Sequence, residues 1–147
     1  MRLNRGFNVA VVLCMGCSRL SSGMSTRTLP QRLQAPLALL EGTGLRVGDI
    51  GADHGLLTHA MLASKTASEC HAVEISLDAF ESGIGLLAPR DGLHVHLGDG
   101  LALLAERDVK LDAVVVTGIG AVQTARILDA ELLRRVGATQ VVVQCWP

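Results

Sequence analysis

Short, continuously apolar segments alternate with segments of helical periodicity from residue 29 onward, and this alternation is the strongest constraint on the fold. Strands are predicted at residues 45–50, 70–75, 93–97, 111–117 and 139–144. Helices are predicted at residues 29–41, 53–64, 77–87, 100–106 and 121–135, with Pro36 expected to kink or split the first of them. Strands joined through helices run parallel, and apolar strand interiors indicate helices on both faces. The predicted class is therefore α/β, with a Rossmann-like doubly wound parallel sheet.

Composition and charge exclude several classes of function. Apolar residues make up 49% of the chain and charged residues 18%, which excludes a disordered chain. Aromatic residues make up 2%, so the sequence gives no support to a protein that stacks nucleic-acid bases on aromatic side chains. Residues 41–147 carry eight basic and fourteen acidic side chains, a balance that does not predict binding to a phosphate backbone.

Residues 1–28 differ in composition from the rest and are predicted to be a leader or a disordered extension. They are basic, rich in Ser and Thr, and contain no acidic residue. This composition fits an organelle transit peptide, for a mitochondrion or plastid. A secretory signal is one alternative, and a disordered extension or a wrongly assigned start is the other. Without a targeting peptide, the cytoplasm is the expected location. The apolar run at residues 7–17 is shorter than the ~20 residues that span a bilayer, so no membrane partner is expected.

The globular domain is predicted to comprise residues 29–147. The chain ends directly after the fifth predicted strand, so we expect an incomplete sheet with one edge unpaired. Cys14 and Cys17 have C-x-x-C spacing but no nearby ligands, and are interpreted as two incidental thiols. His94 and His96 share a strand face without a Cys or carboxylate partner nearby in the sequence, so no metal site is predicted.

The most informative motif is V-G-D-I-G-A-D-H-G at residues 47–55, which follows the first strand and precedes a helix. Glycines let the backbone turn sharply and approach a ligand, and a helix N-terminus offers free N–H groups to it. Asp53 stands where a dinucleotide motif would have its second glycine, and its charge would repel a pyrophosphate. Asp49 and Asp53 instead favour the cationic sulfonium and ammonium of S-adenosylmethionine. The alternative is an acidic turn that caps the helix.

Two further acids follow the next two strands. Glu74 is placed to accept hydrogen bonds from ribose hydroxyls, with a strand-end surface charge as the alternative. Asp99 is placed to accept from an adenine amino group, with a helix N-cap as the alternative. Gly118 and Gly120, after the fourth strand, leave room for a flat base unless they form a plain turn. Because carboxyl ends of parallel strands share one crevice, the predicted cofactor residues are Asp49, Gly51, Asp53, Glu74, Asp99, Gly100, Gly118 and Ile119.

Five segments together resemble a known family. They are R-L-Q at residues 32–34, D-I-G-A-D-H-G at 49–55, G-D-G-L at 98–101, T-G-I-G-A at 117–121 and V-Q at 143–144. In order and spacing they are similar to the motifs of the bacterial TrmK-like tRNA (adenine-N1)-methyltransferases, within the class I S-adenosylmethionine-dependent methyltransferases. The Asp-His pair at 53–54 is the specific part. Ile119 and Ala121 depart from the family's Met and Gly, and residues 145–146 from its Pro-Asn.

The resemblance implies methyl transfer from S-adenosylmethionine to N1 of an adenine in tRNA, with tRNA held partly by a C-terminal region that this chain lacks. A carboxylate near the base would take up the proton released from the product. Asp53 is the candidate for this catalytic role, with His54 in reserve. An NAD-type Rossmann oxidoreductase and an inactive S-adenosylmethionine-binding fragment remain the alternatives.

Overall fold

A computed structural model describes residues 8–13 and 29–146. Its strands are β1 (Asn8–Leu13), β2 (Leu45–Ile50), β3 (Ala67–Glu74), β4 (Leu93–Leu97), β5 (Ala113–Gly120) and β6 (Gln140–Trp146). Its helices are α1 (Gln31–Leu39), α2 (Leu56–Ala63), α3 (Leu77–Ser82), α4 (Gly100–Glu106), α5 (Ala121–Ile127) and α6 (Ala130–Val136), and a 3₁₀ turn spans Ile84–Leu86. None of the helices in these two segments is long and apolar enough to cross a bilayer.

The six strands form one sheet in the order β1-β6-β5-β2-β3-β4, and all neighbouring strands are parallel. Side chains alternate between the two faces, so each face has its own core. Val114 and Val116 pack with Leu104 of α4 on one face. Val115 packs with Met61 of α2 on the other. The predicted doubly wound α/β class is confirmed.

The strand β1 was not predicted. It pairs with β6 in continuous register from Asn8 opposite Gln140 to Leu13 opposite Cys145. The expectation of an unpaired edge at the fifth predicted strand is therefore wrong, because β1 satisfies the backbone groups on that side of β6. The expectation of disorder is wrong for residues 8–13. The leader and organelle predictions for the remainder of residues 1–28, and the Cys14 and Cys17 pair, fall outside the described residues.

The single helix predicted at residues 121–135 is in fact two helices. The side chain of Asp129 accepts hydrogen bonds from the backbone N–H groups of Glu131 and Leu132, at 2.8 and 3.0 Å. This is an N-cap, and it begins α6 after the chain has left α5. Gly137, with a φ of 81°, ends α6 and returns the chain to β6.

Pro36 lies inside α1 and does not split it. A proline has no N–H, so the carbonyl of Arg32, four residues earlier, loses its helical partner. The side-chain amide of Gln144 in β6 donates a hydrogen bond to this carbonyl. Of the two predicted outcomes, the split does not occur, since a neighbouring strand supplies the missing donor, and the kink stays a prediction.

This contact predicts an energetic coupling between Pro36 and Gln144. Gln144→Ala should lower the free energy of unfolding by about 1–3 kcal/mol, because the half-buried carbonyl of Arg32 loses its donor. In a Pro36→Ala background the N–H of residue 36 replaces that donor, so the same substitution should cost about 1 kcal/mol less. Urea unfolding of the four proteins measures the coupling. Equal costs in both backgrounds would show that the amide does not serve the proline.

Candidate functional site

A cleft of about 600 Å³ opens at the carboxyl ends of β2, β3 and β5. The chain leaves β2 toward β3 and β4, then returns to β5 on the other side of β2. Ligands of open α/β sheets bind at such a switch point. Of the predicted site residues, the cleft is lined by Asp49, Gly51, Asp53, His54, Glu74, Gly118 and Ile119.

A second, smaller cavity of about 80 Å³ adjoins the cleft and holds the remaining predicted residues, Asp99 and Gly100. Gly51, Glu74 and Ile119 line both cavities. The structure therefore brings all nine predicted site residues to one edge of the sheet. A single elongated ligand can span both cavities, with one end near Asp49 and the other near Asp99.

The loop after β2 requires glycine at its first position. Gly51 has a φ of +74°, and a Cβ there would lie 2.7 Å from Cδ1 of Ile119. The N–H groups of Gly51 and Ala52 both donate to the carbonyl of Val73, at 2.9 and 3.2 Å. The loop is thus held close to β3 on one side and to the β5 loop on the other, with the cleft between them.

Asp49 is the most unusual residue of the site. It is 1% exposed, and its Oδ2 accepts a 2.6 Å hydrogen bond from the hydroxyl of Thr58. Its Oδ1 has no hydrogen-bond partner, and no other buried side-chain polar atom in the described segments is in this state. Burial raises the pKa of Asp49 to about 6, against the opposing effect of Thr58. A cation or a donor in the cleft would satisfy this oxygen.

Glu74 and Asp99 end the next two strands. The Oε1 of Glu74 accepts from the N–H groups of Ile75 and Ser76, at 2.9 and 3.3 Å, which orients the carboxylate at the strand end. Asp99 occupies the N-cap position of α4, but its side chain makes no capping hydrogen bond. The helix-cap alternative for Asp99 is therefore not supported, and its exposed carboxylate lines the smaller cavity.

Asp53 and His54 lie at the rim of the cleft, with side chains 63% and 60% exposed. Asp53 Oδ1 lies 3.7 Å from His54 Nε2. The capping alternative fails for Asp53 also, because Gly55 is the N-cap of α2 and no side chain caps that helix. The carbonyl of Asp53 accepts a 2.9 Å hydrogen bond from the N–H of Ile84, so the backbone is fixed although the side chain faces solvent.

The residues predicted to form a loop after Thr117 are the bulged end of β5 rather than a plain turn. Thr117 pairs with Gln144 and Ile119 with Cys145, which leaves Gly118 unpaired at a φ of +73°. Such a bulge redirects the side chains that follow it. A Cβ added at Gly120 would meet nothing within 4 Å. The fold therefore does not need glycine at position 120, and the open space supports the prediction that a flat ligand fits there.

Among the residues that were not predicted, Arg32 and Thr58 contribute most to the chemistry of the site. Of the described residues that line the larger cleft, Arg32 alone carries a permanent positive charge. The R-L-Q match at residues 32–34 was the available signal for it. Thr58 orients Asp49 from the first turns of α2. No pattern in a single sequence marks Thr58, because its role depends on how α2 packs over β2.

The fold and the acids at its strand ends define a Rossmann-like domain with a site for a cationic nucleoside-type ligand. The chain belongs to the methyltransferase-domain family, whose profile matches residues 29–146. It is 29% identical over 125 residues to the tRNA (adenine(22)-N(1))-methyltransferase of Bacillus subtilis (strain 168), covering 82% of this chain and 51% of that protein. The predicted resemblance to the TrmK-like family is confirmed.

Solved structures agree with this assignment. The B. subtilis m1A22 tRNA methyltransferase TrmK matches with a TM-score of 0.61 at 26% identity, over 79% of this chain and 50% of that one. An uncharacterized protein of Listeria monocytogenes matches with a TM-score of 0.66 at 27% identity, over 79% of this chain and 51% of that one. The chain spans about half the length of these relatives. The family match favours a methyltransferase over the oxidoreductase alternative.

The burial of Asp49 predicts a pH dependence of stability in the ligand-free protein. Its pKa is about 6 in the fold against a model-compound value of 3.8. The folded state therefore binds more protons than the unfolded chain between these values, and stability falls as the pH rises through them. Above pH ~7, ionisation of the buried Asp49 should lower the free energy of unfolding by on the order of 2–3 kcal/mol.

Asp49→Asn isolates this effect, because it keeps an oxygen acceptor for Thr58 and removes the charge. From pH ~4 to pH ~7 the wild type should lose on the order of 2–3 kcal/mol of unfolding free energy that Asp49→Asn keeps, because the variant has no carboxyl group to ionise. Urea unfolding of both proteins across that range measures the difference. Parallel pH profiles would contradict an ionised, buried carboxylate.

Proposed function

We propose that this chain binds S-adenosylmethionine and transfers its methyl group to N1 of an adenine in tRNA. The observation that carries the proposal is the unpartnered, buried Oδ1 of Asp49, a residue that lines the larger cleft. A protein interior tolerates such an oxygen poorly unless a ligand completes its hydrogen bonding. The family match and the tRNA (adenine(22)-N(1))-methyltransferase of B. subtilis support the choice of reaction.

The chemistry of the lining residues fits this cofactor. Asp49 would accept from the ammonium of the methionine moiety, and Glu74 from the ribose hydroxyls. Asp99, at the far end of the smaller cavity, would accept from the adenine amino group. Arg32 lines the larger cleft and offers the one permanent cation of that lining for the methionine carboxylate. The acidic lining disfavours a pyrophosphate and therefore a dinucleotide.

When bound, the cofactor supplies a methyl group on a cationic sulfur that leaves as a neutral thioether. The protein mainly has to hold the methyl carbon and the attacking N1 of adenine in line. The open space in front of Gly120 and the bulge at Gly118 leave room for the flat base beside the cleft. Methylation at N1 makes the base cationic, and Asp53 at the rim would accept the proton that its amino group then loses. His54 is the reserve acceptor.

Cofactor choice is tested by isothermal titration of the purified chain with S-adenosylmethionine and with NAD. We expect S-adenosylmethionine to bind and NAD not to bind. Asp49→Asn and Asp99→Asn should weaken S-adenosylmethionine at least tenfold, since each removes a charged hydrogen-bond acceptor. Asp91→Asn, at an exposed residue outside both cavities, is the matched control and should keep wild-type affinity.

The titration has two outcomes that count against the proposal. If NAD bound more tightly than S-adenosylmethionine, the site would be that of an NAD-type oxidoreductase and the proposal would be wrong. Equal weakening by Asp91→Asn would show a general effect of lost charge rather than contacts in the cavities.

Methyl transfer is tested by incubating the chain with methyl-labelled S-adenosylmethionine and total tRNA, followed by digestion to nucleosides. We expect label in N1-methyladenosine. Asp53→Asn should lower kcat by roughly 10²-fold or more, a larger factor than the one by which it weakens the binding of S-adenosylmethionine. His54→Gln is the companion variant for the reserve role. Cofactor binding without label in any nucleoside would leave the chain a binding protein and refute the proposed reaction.

A further inference from the structure

Three metal-ligating side chains converge on β3 and β4, at the edge of the sheet away from β1. The strand register pairs His71 with His94, and Glu69 lies two residues before His71, so all three share one face. Glu69 Oε1 lies 3.0 Å from His71 Nε2 and 3.2 Å from His94 Nε2. Among the residues that the structure describes, this is the one group of three metal-ligating side chains whose ligand atoms all lie within 4.8 Å of one another.

We propose that Glu69, His71 and His94 form a binding site for a divalent transition metal of the Zn²⁺ type. Zinc takes imidazole nitrogen and carboxylate oxygen at about 2.0–2.2 Å in a tetrahedral arrangement, which separates neighbouring ligand atoms by roughly 3.3 Å. The observed oxygen-to-nitrogen separations of 3.0 and 3.2 Å are close to this value. Two imidazoles and one carboxylate suit Zn²⁺ better than Mg²⁺ or Ca²⁺, and leave a fourth position for water.

A second layer of residues orients the ligands. His71 Nδ1 lies 3.0 Å from His96 Nε2, and Arg107 Nη1 lies 3.0 Å from His96 Nδ1. Arginine can only donate, so Arg107 donates to His96, His96 to His71, and His71 to Glu69. The rings of His71 and His94 also stack, with centroids 4.6 Å apart. Packing and hydrogen bonds thus fix the rings of the metal-free cluster, and a bound metal requires His71 and His94 to turn out of the stack and to release their hydrogen bonds to Glu69.

Metal binding would reverse this chain of hydrogen bonds. A metal on Nε2 of His71 requires the ring proton to move to Nδ1, which then donates to Nε2 of His96. His96 carries its own proton on Nδ1 in that state, so no net proton is lost from the pair. Arg107 would then face an N–H and has to turn away. Because Arg107 is exposed, it can do so.

The cluster is separate from the proposed cofactor site. Glu69 precedes Glu74 by five residues on β3, which corresponds to ~16 Å along the strand. His71 is 7% exposed at its side chain, whereas His94 is 48% exposed, so an ion can reach the cluster from solvent. A bound metal would tie the edge strand β4 to β3. The expected role is therefore a structural clamp on the strand that leads to Asp99.

The test uses the full chain without an affinity tag, stripped of metal with a chelator and titrated with Zn²⁺. One Zn²⁺ per chain is expected, and Co²⁺ in its place should give the intense visible absorption of four-coordinate cobalt. His94→Ala and Glu69→Gln should each weaken Zn²⁺ at least tenfold. His59→Gln, a histidine outside the cluster, is the control and should bind as the wild type does.

Two further readouts make the outcome decisive. Zn²⁺ at a hundred times its Kd should raise the Tm of the wild type by roughly 5–10 °C, and should not do so in Glu69→Gln, which preserves side-chain size. Arg107→Leu should bind Zn²⁺ more tightly, because the competing donor is gone. Wild-type binding weaker than ~100 µM, or equal binding by wild type, His94→Ala and Glu69→Gln, would overturn the proposal.

Discussion

The cleft depends on one unfavourable interaction, the burial of the Asp49 carboxylate. Of its two oxygens, Oδ2 accepts a hydrogen bond from Thr58, whereas Oδ1 is buried without a partner in a residue that lines the cleft. An apolar residue near the carboxyl end of β2 would suit the surrounding valines better, so the carboxylate is not explained by folding. Val47 and Val115, which are fully buried on one face of the sheet, make the surroundings apolar and so raise the cost of the charge. A charge kept at a cost to stability at a strand switch point indicates a ligand.

Local patterns determined several elements without help from the tertiary structure. The strands β2 and β4 and the helix α4 have the predicted bounds, because each is a short apolar or periodic segment between glycines and polar residues. Elements that depend on contacts distant in sequence were missed. The apolar residues of β1 become a strand only through pairing with β6, and their basic surroundings suggested a leader. Pro36 is accommodated in α1 because Gln144, a hundred residues later, contacts Arg32. The helical periodicity continues through Asp129, but the side chain of Asp129 caps the N-terminus of α6, so the predicted single helix is two helices.

The same distinction applies to the sites. The acids after three successive strands were predictable as a group, because parallel strands bring their carboxyl ends to one edge whatever the register. The cluster of Glu69, His71 and His94 could not be predicted in this way, since it requires His71 and His94 to face each other across two strands. The second strand was predicted to begin at Cys70, so Glu69 was not expected to lie on that strand. In addition, a shift of one residue in the register between the two strands would have placed the imidazoles of His71 and His94 on opposite faces of the sheet. Topology can be inferred from one sequence, whereas register cannot.

The charges of the domain separate cofactor recognition from RNA recognition. Carboxylates in the cleft attract a cationic donor, and for the same reason they repel phosphates near the entering base. Three of the nine Lys and Arg side chains in the described segments are paired with carboxylates: Arg46 with Asp112, Lys110 with Asp108, and Arg134 with Glu131. A tRNA substrate needs several cations that contact phosphates. The described residues therefore explain how a methyl donor and a single base would be held, whereas the three paired cations are less available to the phosphates of a tRNA.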